Sequence, residues 1–433
     1  MPFPMTQTAT APHEGSAEGV RHATRPPWRG PRSLQHPAFR RVWLATLLSF
    51  SSRFIEMTVT AWVLVERTDS PLAITLAGFF RYLPFLIAGP FVGVIADRYP
   101  RIRIVRISEI ATAMSAAVVA TLAFMDLLQV WHIYIFVLAA GTLWTTAMPA
   151  RRAYMIGVVG KRNMTPALAL DMIGWTISNI VASNAAGSIL RVLEPAWLYL
   201  WLVCSSMFSL VLLRGLPVFW KRQADSEREP MLQSIAEGFK YVGRRRILVA
   251  AVAVVAVTNF TGFIFELATP VFAKDVLHSD SRGLGLLISA PSFGALVTGT
   301  ILIVIGTRMN RPALGLIIAG TAQHILTIFW SYATWFPASF GVLVVIGLFT
   351  FAFGTMNTAT FMVATPDNMR GRVQGVQLFV IGTFPVSGLV VGALANVIGP
   401  QEAVRWMAVG GLAAMLLIWV AFPELRRPVK TEV

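Results

Sequence analysis

The sequence predicts an all-α membrane protein of twelve transmembrane helices, built as two six-helix bundles that repeat one another. Composition is the first observation behind this: 55% of the 433 residues are hydrophobic and only 13% are charged, where a soluble domain carries about a quarter. Run length is the second. A bilayer core of about 30 Å needs roughly 20 apolar residues at about 1.5 Å rise each, and long stretches here meet that length with few charges. Their continuity, and the Pro and Gly inside them, fit helices rather than the alternating strands of a barrel. Third, the basic residues crowd into every second connection. The net charge of +15 therefore follows the loops, which argues against a nucleic-acid surface.

In chain order, residues 1–37 read as a disordered cytoplasmic tail, polar and rich in Pro, Arg, Ser and Ala, without the apolar core of a cleaved signal. Spans are expected at 42–65, 72–96, 104–125, 130–150, 167–190 and 196–218, giving an N-terminal bundle over 38–219. The polar run WKRQADSEREP opens a cytoplasmic linker over 220–246. Within it Leu232, Ile235, Phe239 and Val242 recur at helical spacing opposite Glu237, Lys240 and Arg244, as in an interfacial helix or a solvated connector. Spans at 247–272, 284–306, 313–334, 338–364, 373–398 and 403–423 build a C-terminal bundle over 247–424, and 425–433 form a second tail. The basic connections carry Arg40 and Arg41, Arg98 to Arg106, Arg151 and Arg152, Arg244 to Arg246, Arg308 and Arg311, Arg370 and Arg372, and Arg426 and Arg427. By the positive-inside rule that side, with both termini, is cytoplasmic.

The stretch GVIADRYPRIR, residues 93–103, sets one acid and three arginines between two apolar runs. Offset by 210 residues, IGTRMNR echoes IADRYPR, so that Arg98 matches Arg308 and Arg101 matches Arg311. Such echoes at corresponding places in a six-plus-six layout are the mark of parallel repeats about an axis along the membrane normal.

GVIADRYPR resembles the loop between the second and third helices of the major facilitator superfamily, whose pattern is Gly, three residues, Asp, Arg, two residues, then a basic residue. FRRVWLATLLSF, RYLPFLIAGP, MPARRA and TPDNMRGRVQG extend the resemblance over residues 38–423, towards the bacterial branch of enterobactin-exporter-like drug and metabolite efflux proteins. Two departures stand out. Pro100 replaces the second Gly of the loop, and SNAAG in the fifth span keeps only the last Gly of the run that antiporter relatives carry there, which weakens the antiport expectation. The resemblance implies a gate made by Gly93, Asp97, Arg98 and Arg101, with Arg308, Arg311, Arg370 and Arg372 as its counterparts and the start of the eleventh helix near Arg372 as the partner of Asp97. Asp97 is suited to a helix N-terminus and the arginines to carbonyls and acids on facing loops. Topology alone is the other reading of these arginines.

Ionisable residues at bilayer depth are functional candidates because each costs several kcal/mol there. Arg53 and Glu56 share one face near the middle of the first span, and Arg81 reaches a similar depth from the second. An Arg-Glu-Arg cluster follows, either coupling transport or pinning helices as an ion pair. Glu266 and Asn259 in the seventh span, and Trp144 and Asn357 in the fourth and tenth, are further candidates for the cavity wall. His324 reads as a structural, hydrogen-bonded histidine, while Glu109 and Asp171 are expected to pair locally with Arg106 and Arg152.

Cys204 is the only cysteine, so there is no disulfide framework, and the sequence carries no metal motif, phosphate loop or nucleophile elbow. No cofactor and no catalysis are expected. The reading is a secondary transporter of the bacterial inner membrane, moving a small amphipathic drug or metabolite, siderophore-like compounds included, with protons as coupling ion and lipids as surroundings. Uptake or lipid flipping by the same fold, and a transport-inactive receptor or scaffold, stay open as alternatives.

Overall fold

A computed structural model describes residues 32–160, 163–218, 231–305, 311–366 and 369–426, apart from the side chains at 32–33, 88–98, 231–235, 303–305 and 378. Helices occupy every position where the sequence places a span. The first half contains α1 (Pro37–Arg67), α2 (Pro71–Arg98), α3 (Arg101–Phe124), α4 (Val130–Val159), α5 (Met164–Ile189) and α6 (Pro195–Leu213). After the linker helix α7 (Met231–Gly243) come α8 (Arg246–Val257), α9 (Ile264–Val271), α10 (Ser281–Ile305), α11 (Pro312–Ser331), α12 (Phe336–Ala364), α13 (Arg370–Ile381), α14 (Phe384–Ile398) and α15 (Pro400–Ala421). Among the described residues, nine helical spans are long and apolar enough to cross a membrane. Helix is the only open-ended solution there, since each backbone N–H and C=O must find its partner inside the segment. Proline opens α1, α6, α11 and α15, where its missing N–H costs nothing and its φ is already helical.

Two spans are not single α-helices. The seventh runs from α8 through a π-helical turn at Thr258–Gly262, then α9, which contains Pro270, then a second π-helical turn at Phe272–Val276. In the eleventh, α13 and α14 meet at Gly382 and Thr383, just before Pro385. Proline removes a backbone donor and crowds the preceding turn, so breaks collect around it. The outer face of the first half is apolar and uncovered: Ile107, Met114 and Val118 on α3 lie 58%, 66% and 60% exposed, a surface that only a hydrocarbon solvent leaves without cost.

The halves meet along two helix pairs, α5 with α10 and α2 with α14. Small residues allow the first pair to touch at the backbone: Gly187 lies against the Ser281 carbonyl and Gly285 against that of Ser183, each too close for a Cβ. Small-residue contacts of this kind bring membrane helices together without a hydrophobic drive. Asn179 and Asn184 of α5 then donate to Ser292 Oγ and Ser289 Oγ of α10, each at 2.8 Å. In the second pair Gly392 of α14 sits on Leu72 and Thr75 of α2.

At the end opposite the start of α1 and the finish of α15, side chains bridge the halves. Lys274 Nζ donates to Asp69 Oδ1 and to the Thr68 carbonyl, both at 2.9 Å. Asn396 Nδ2 donates to Ser70 Oγ at 3.2 Å, its Oδ1 accepts from the Leu72 amide at 3.2 Å, and Arg191 pairs with Asp280 at 3.2 Å. This distal end is therefore closed.

The hydrogen bond from Lys274, then its charge, holds the Asp69 carboxyl below the usual carboxylate range. The Asp69 contact is thus complete above the ordinary Asp value of about 3.9 and is lost as the pH falls through the lower value in the closed state. Because Asp69 is fully exposed, the shift in population is small. A cysteine introduced at Leu72 in a Cys204→Ser background should react faster with a water-soluble maleimide as the pH falls through that range. With Asp69→Asn added, the rate should start high and lose this pH dependence, once corrected for thiol ionisation with a free thiol control.

Candidate transport site

The three buried charges of α1 and α2 converge on Glu56. Arg81 Nη2 donates to Glu56 Oε1 at 2.5 Å, and Thr60 Oγ1 reaches the same oxygen at 3.4 Å. Arg53 Nη1 lies 3.4 Å from Glu56 Oε2. None of the three charged side chains is more than 8% exposed. Arg53 and Glu56 meet because three residues along a helix share a face. Arg81 reaches them because α4 yields room: Gly141 lies against the Arg81 backbone carbonyl, where a Cβ would not fit. The predicted Arg-Glu-Arg cluster is thus present, with Arg81 as the tighter partner.

An aromatic wall stands beside it. The Arg53 guanidinium lies 5.5 Å from the centroid of Trp144, and Trp144 packs on Trp175 of α5 at 5.6 Å and on Phe50 of α1 at 5.9 Å. Tyr82, which the sequence reading did not single out, ties the cluster to the other half. It lies within electrostatic reach of Arg53, Arg81 and Glu56 and of Glu266, and it meets the Phe384 ring at 4.9 Å. Its signal was its position next to the intramembrane Arg81 in RYLPF.

Glu266 does not join the ion pairs directly. Its side chain keeps accessible surface while Phe265 and Leu267 on either side are buried. Asn259 is spent inside its own helix, donating to the Val255 carbonyl at 2.9 Å. Asn357 is buried with Oδ1 unpartnered. Thr145, Thr146 and Thr358 return their hydroxyls to carbonyls four residues earlier.

A second buried pair lies nearer the start of α1, and it corrects the expected partner of Glu109. Its Oε1 accepts from Arg151 Nη2 at 2.5 Å and from Ser49 Oγ at 2.6 Å. Arg106 instead caps the end of α6, donating to the Leu213 carbonyl at 2.7 Å, which draws its guanidinium away from Glu109. Arg152 pairs with Asp171 at 2.8 Å as expected. His324 is hydrogen-bonded at both ring nitrogens, to the Gly320 carbonyl at 2.7 Å and to Thr261 at 2.8 Å, and is fully buried.

Of the gate residues, the side chains of Gly93, Asp97 and Arg98, and all of Arg308, lie outside the described residues. Arg101 was expected to reach a facing loop; it donates to the Ala153 carbonyl of α4 in its own half at 3.2 Å. Arg311 is exposed at the start of α11, and Arg370 donates to the Met362 carbonyl at 3.3 Å. Arg372 pairs with Glu237 of the linker helix at 2.6 Å, where Gly238 brings α7 against the Arg372 backbone. The linker helix thus supplies an acid to the start of the eleventh span. No group of His, Cys, Asp or Glu able to hold a metal ion occurs among the described residues.

A helical membrane protein with paired halves and a buried charge cluster between apolar spans is built as a transporter. The comparisons with known proteins agree. Residues 30–430 match the family described as transmembrane secretion effector, and the chain belongs to that family, within the major facilitator superfamily. It is 22% identical to a staphyloferrin A transporter of Staphylococcus aureus, over 87% of this chain and 94% of the other. It is 23% identical to an enterobactin exporter of Shigella boydii, over 90% and 93%. Among solved structures, a bacterial homologue of the human lysosomal transporter Spinster, in an inward-facing and unoccupied conformation, shares the fold with a TM-score of 0.69 at 12% identity, over 94% of this chain and all of that one. A POT family transporter does so with a TM-score of 0.70 at 10% identity, over 90% and 97%.

The unequal distances in the cluster set an order of effects. Arg81→Met leaves a buried carboxylate with only the longer Arg53 contact and should cost about 3 to 5 kcal/mol. Arg53→Met keeps the short pair and should cost less. Thermal unfolding of the purified variants measures the order.

Proposed function

We propose that this chain is a proton-coupled exporter of a small amphipathic metabolite of siderophore type, with Glu56 carrying the proton. The observation that supports it is the convergence of Arg53 and Arg81 on one buried carboxylate beside an aromatic wall. On this reading the arginines move relative to the carboxylate between two conformations, and that movement loads and releases the proton. Tyr82 supplies the mechanical link. It lies within electrostatic reach of Arg53 on one side and packs on Phe384 of the other half, so rocking of the halves shifts its position against Arg53. Trp144 and Trp175 offer ring faces to an aromatic substrate, and the cluster carries a net positive charge that suits an anionic group. The names of the relatives, one for staphyloferrin A and one for enterobactin, point to substrates of this kind.

On this reading the closed distal end faces outward, the basic connections and both termini face the cytoplasm of a bacterial inner membrane, and the halves are 38–219 and 247–424, joined by the linker. Asp97 and its neighbours shut the cytoplasmic side, with the start of the eleventh span near Arg372 as their partner. Glu266 and Asn357 serve as the C-terminal wall of the cavity.

Glu56→Gln keeps shape and hydrogen bonding but removes titration. In proteoliposomes with enterobactin and staphyloferrin A as probes, the wild type should concentrate at least one of them under an imposed pH gradient. The variant should lose that accumulation by tenfold or more while retaining exchange of labelled for unlabelled probe. Folded Glu56→Gln protein that still accumulates probe would remove Glu56 from coupling.

A further inference from the structure

Glu56 and Glu109 are separated by a cavity that lies inside the first half, away from its seam with the second. The void measures about 70 Å³, enough for a few waters. Four helices line it: α1 with Ser49, Ser52, Arg53 and Glu56, α3 with Ser108 and Glu109, α4 with Trp144, Ala147 and Arg151, and α6 with Ser206. Its two ends are charged. At one end are Glu56 and Arg53 beside Trp144; at the other, Glu109 holds Arg151 and Ser49. Ser49 and Glu56 are seven residues apart on α1, as are Trp144 and Arg151 on α4, so the two layers lie roughly 10 Å apart along the helices. A few hydrogen-bonded waters at about 2.8 Å each span that gap. The wall between the ends is mostly apolar, with Phe136, Leu143, Ala147 and Leu202, but Ser108 and Ser206 also face the void, and Ser52 is held by Ser205 at 2.5 Å.

An unfilled void that carries serine hydroxyls between two buried acids is an unusual use of a bundle interior, where close apolar packing would be more stable. Neither ion pair requires it. Glu109 Oε1 takes both Arg151 and Ser49, which leaves Oε2 as the oxygen able to accept a proton. Glu56 is faced by Arg53 on its own helix, Arg81 from α2 and Thr60, with Tyr82 reaching it through Arg53.

From this placement we infer that the cavity is the proton route to Glu56, with Glu109 as the relay on the side of the helix termini. A proton taken from water by the Glu109 carboxylate is passed to the first water of the cavity. Each water in turn hands on one proton and receives another, and the last protonates Glu56, leaving Glu109 ionised and the waters unchanged. The substrate meets Arg53 and Trp144 from the seam between the halves, so proton and substrate reach the cluster from opposite sides. The inference rests on Glu56 as the proton carrier, and its test separates the two claims.

The test needs no substrate. Carboxyl absorption of the full-length protein is followed by infrared spectroscopy after a pH jump, with Glu56→Gln assigning the Glu56 band. Ala147 lies between the two layers on α4, so Ala147→Leu fills the cavity with hydrocarbon while removing no charge, and Ala147→Ser keeps it polar. Titration of Glu56 should slow at least tenfold in Ala147→Leu and in Glu109→Gln, and stay at the wild-type rate in Ala147→Ser. Ser206→Leu, which fills the middle of the void from α6, is the substitute if Ala147→Leu does not purify as folded protein. A wild-type rate in the filled variants, with the Glu56 band present, overturns the route and leaves Glu56 as carrier. If Glu56→Gln removes no titrating band, the carrier and the route fall together.

Discussion

A carboxylate in hydrocarbon has to be held, and the holding of Glu56 by Arg81 is the constraint on which the first half is built. The pair joins α1 to α2 at 2.5 Å, and it can form only where a third helix gives way. Gly141 is that concession: α4 approaches the Arg81 backbone at a position where any side chain would strike the carbonyl. From there α4 delivers Trp144 to Arg53 and, two turns further on, Arg151 to Glu109. One glycine and three arginines thus fix four helices against one another. Replacing such a pair by hydrocarbon is often neutral or stabilising, so stability alone is a poor reason for three buried charges. A change in charge state during a cycle is a better one.

The seam between the halves is made differently. It relies on Gly187, Gly285 and Gly392 for close approach, on amide-to-hydroxyl bonds such as Asn184 to Ser289, and on exposed ion pairs at the distal end. Each of these is weak singly. Exposed pairs contribute at most about 1 kcal/mol, and hydrogen bonds between membrane helices average about 0.6 kcal/mol. A seam of many small terms opens stepwise, whereas the buried pairs within the first half keep that bundle rigid as it moves. Rigid bundles and a labile seam are the mechanical requirements of alternating access.

Much of this was legible in the sequence. Apolar run length and alternating basic connections placed a helix at each of twelve positions, because the hydrocarbon thickness and the charge bias act on composition alone. Depth counting put Arg53, Glu56 and Arg81 together for the same reason: a helix rises by a fixed amount per residue. What the sequence could not supply was the choice among neighbours at equal depth. Glu109 had Arg106 on its own helix and found Arg151 on another, a matter of helix rotation that no periodicity reports. Tyr82 was hidden because a tyrosine in an apolar run reads as packing until its partner is seen. The π-helical turns of the seventh span and the break in the eleventh were foreshadowed only by Pro270 and Pro385, which bilayer helices also tolerate without a break.

The two halves divide the work unevenly, although the sequence repeats the charged loop in both. Six buried ionic side chains, Arg53, Glu56, Arg81, Glu109, Arg151 and Asp171, belong to the first half, and none of the described buried residues of the second half is Arg, Lys, Asp or Glu. The second half instead contributes Phe263, Phe353 and Phe384 at the level of Tyr82, together with the flexible helical turns of its seventh span. A charge cluster confined to one bundle keeps its internal distances when the halves rock as rigid bodies, so rocking alone would leave the proton where it is. Tyr82 resolves this. On the proposed reading its ring, packed on Phe384 and within electrostatic reach of Arg53, carries displacement of the second half toward Arg53 and the second oxygen of Glu56. The longer Arg53 contact at 3.4 Å is therefore the adjustable member of the cluster, and Arg81 the fixed one.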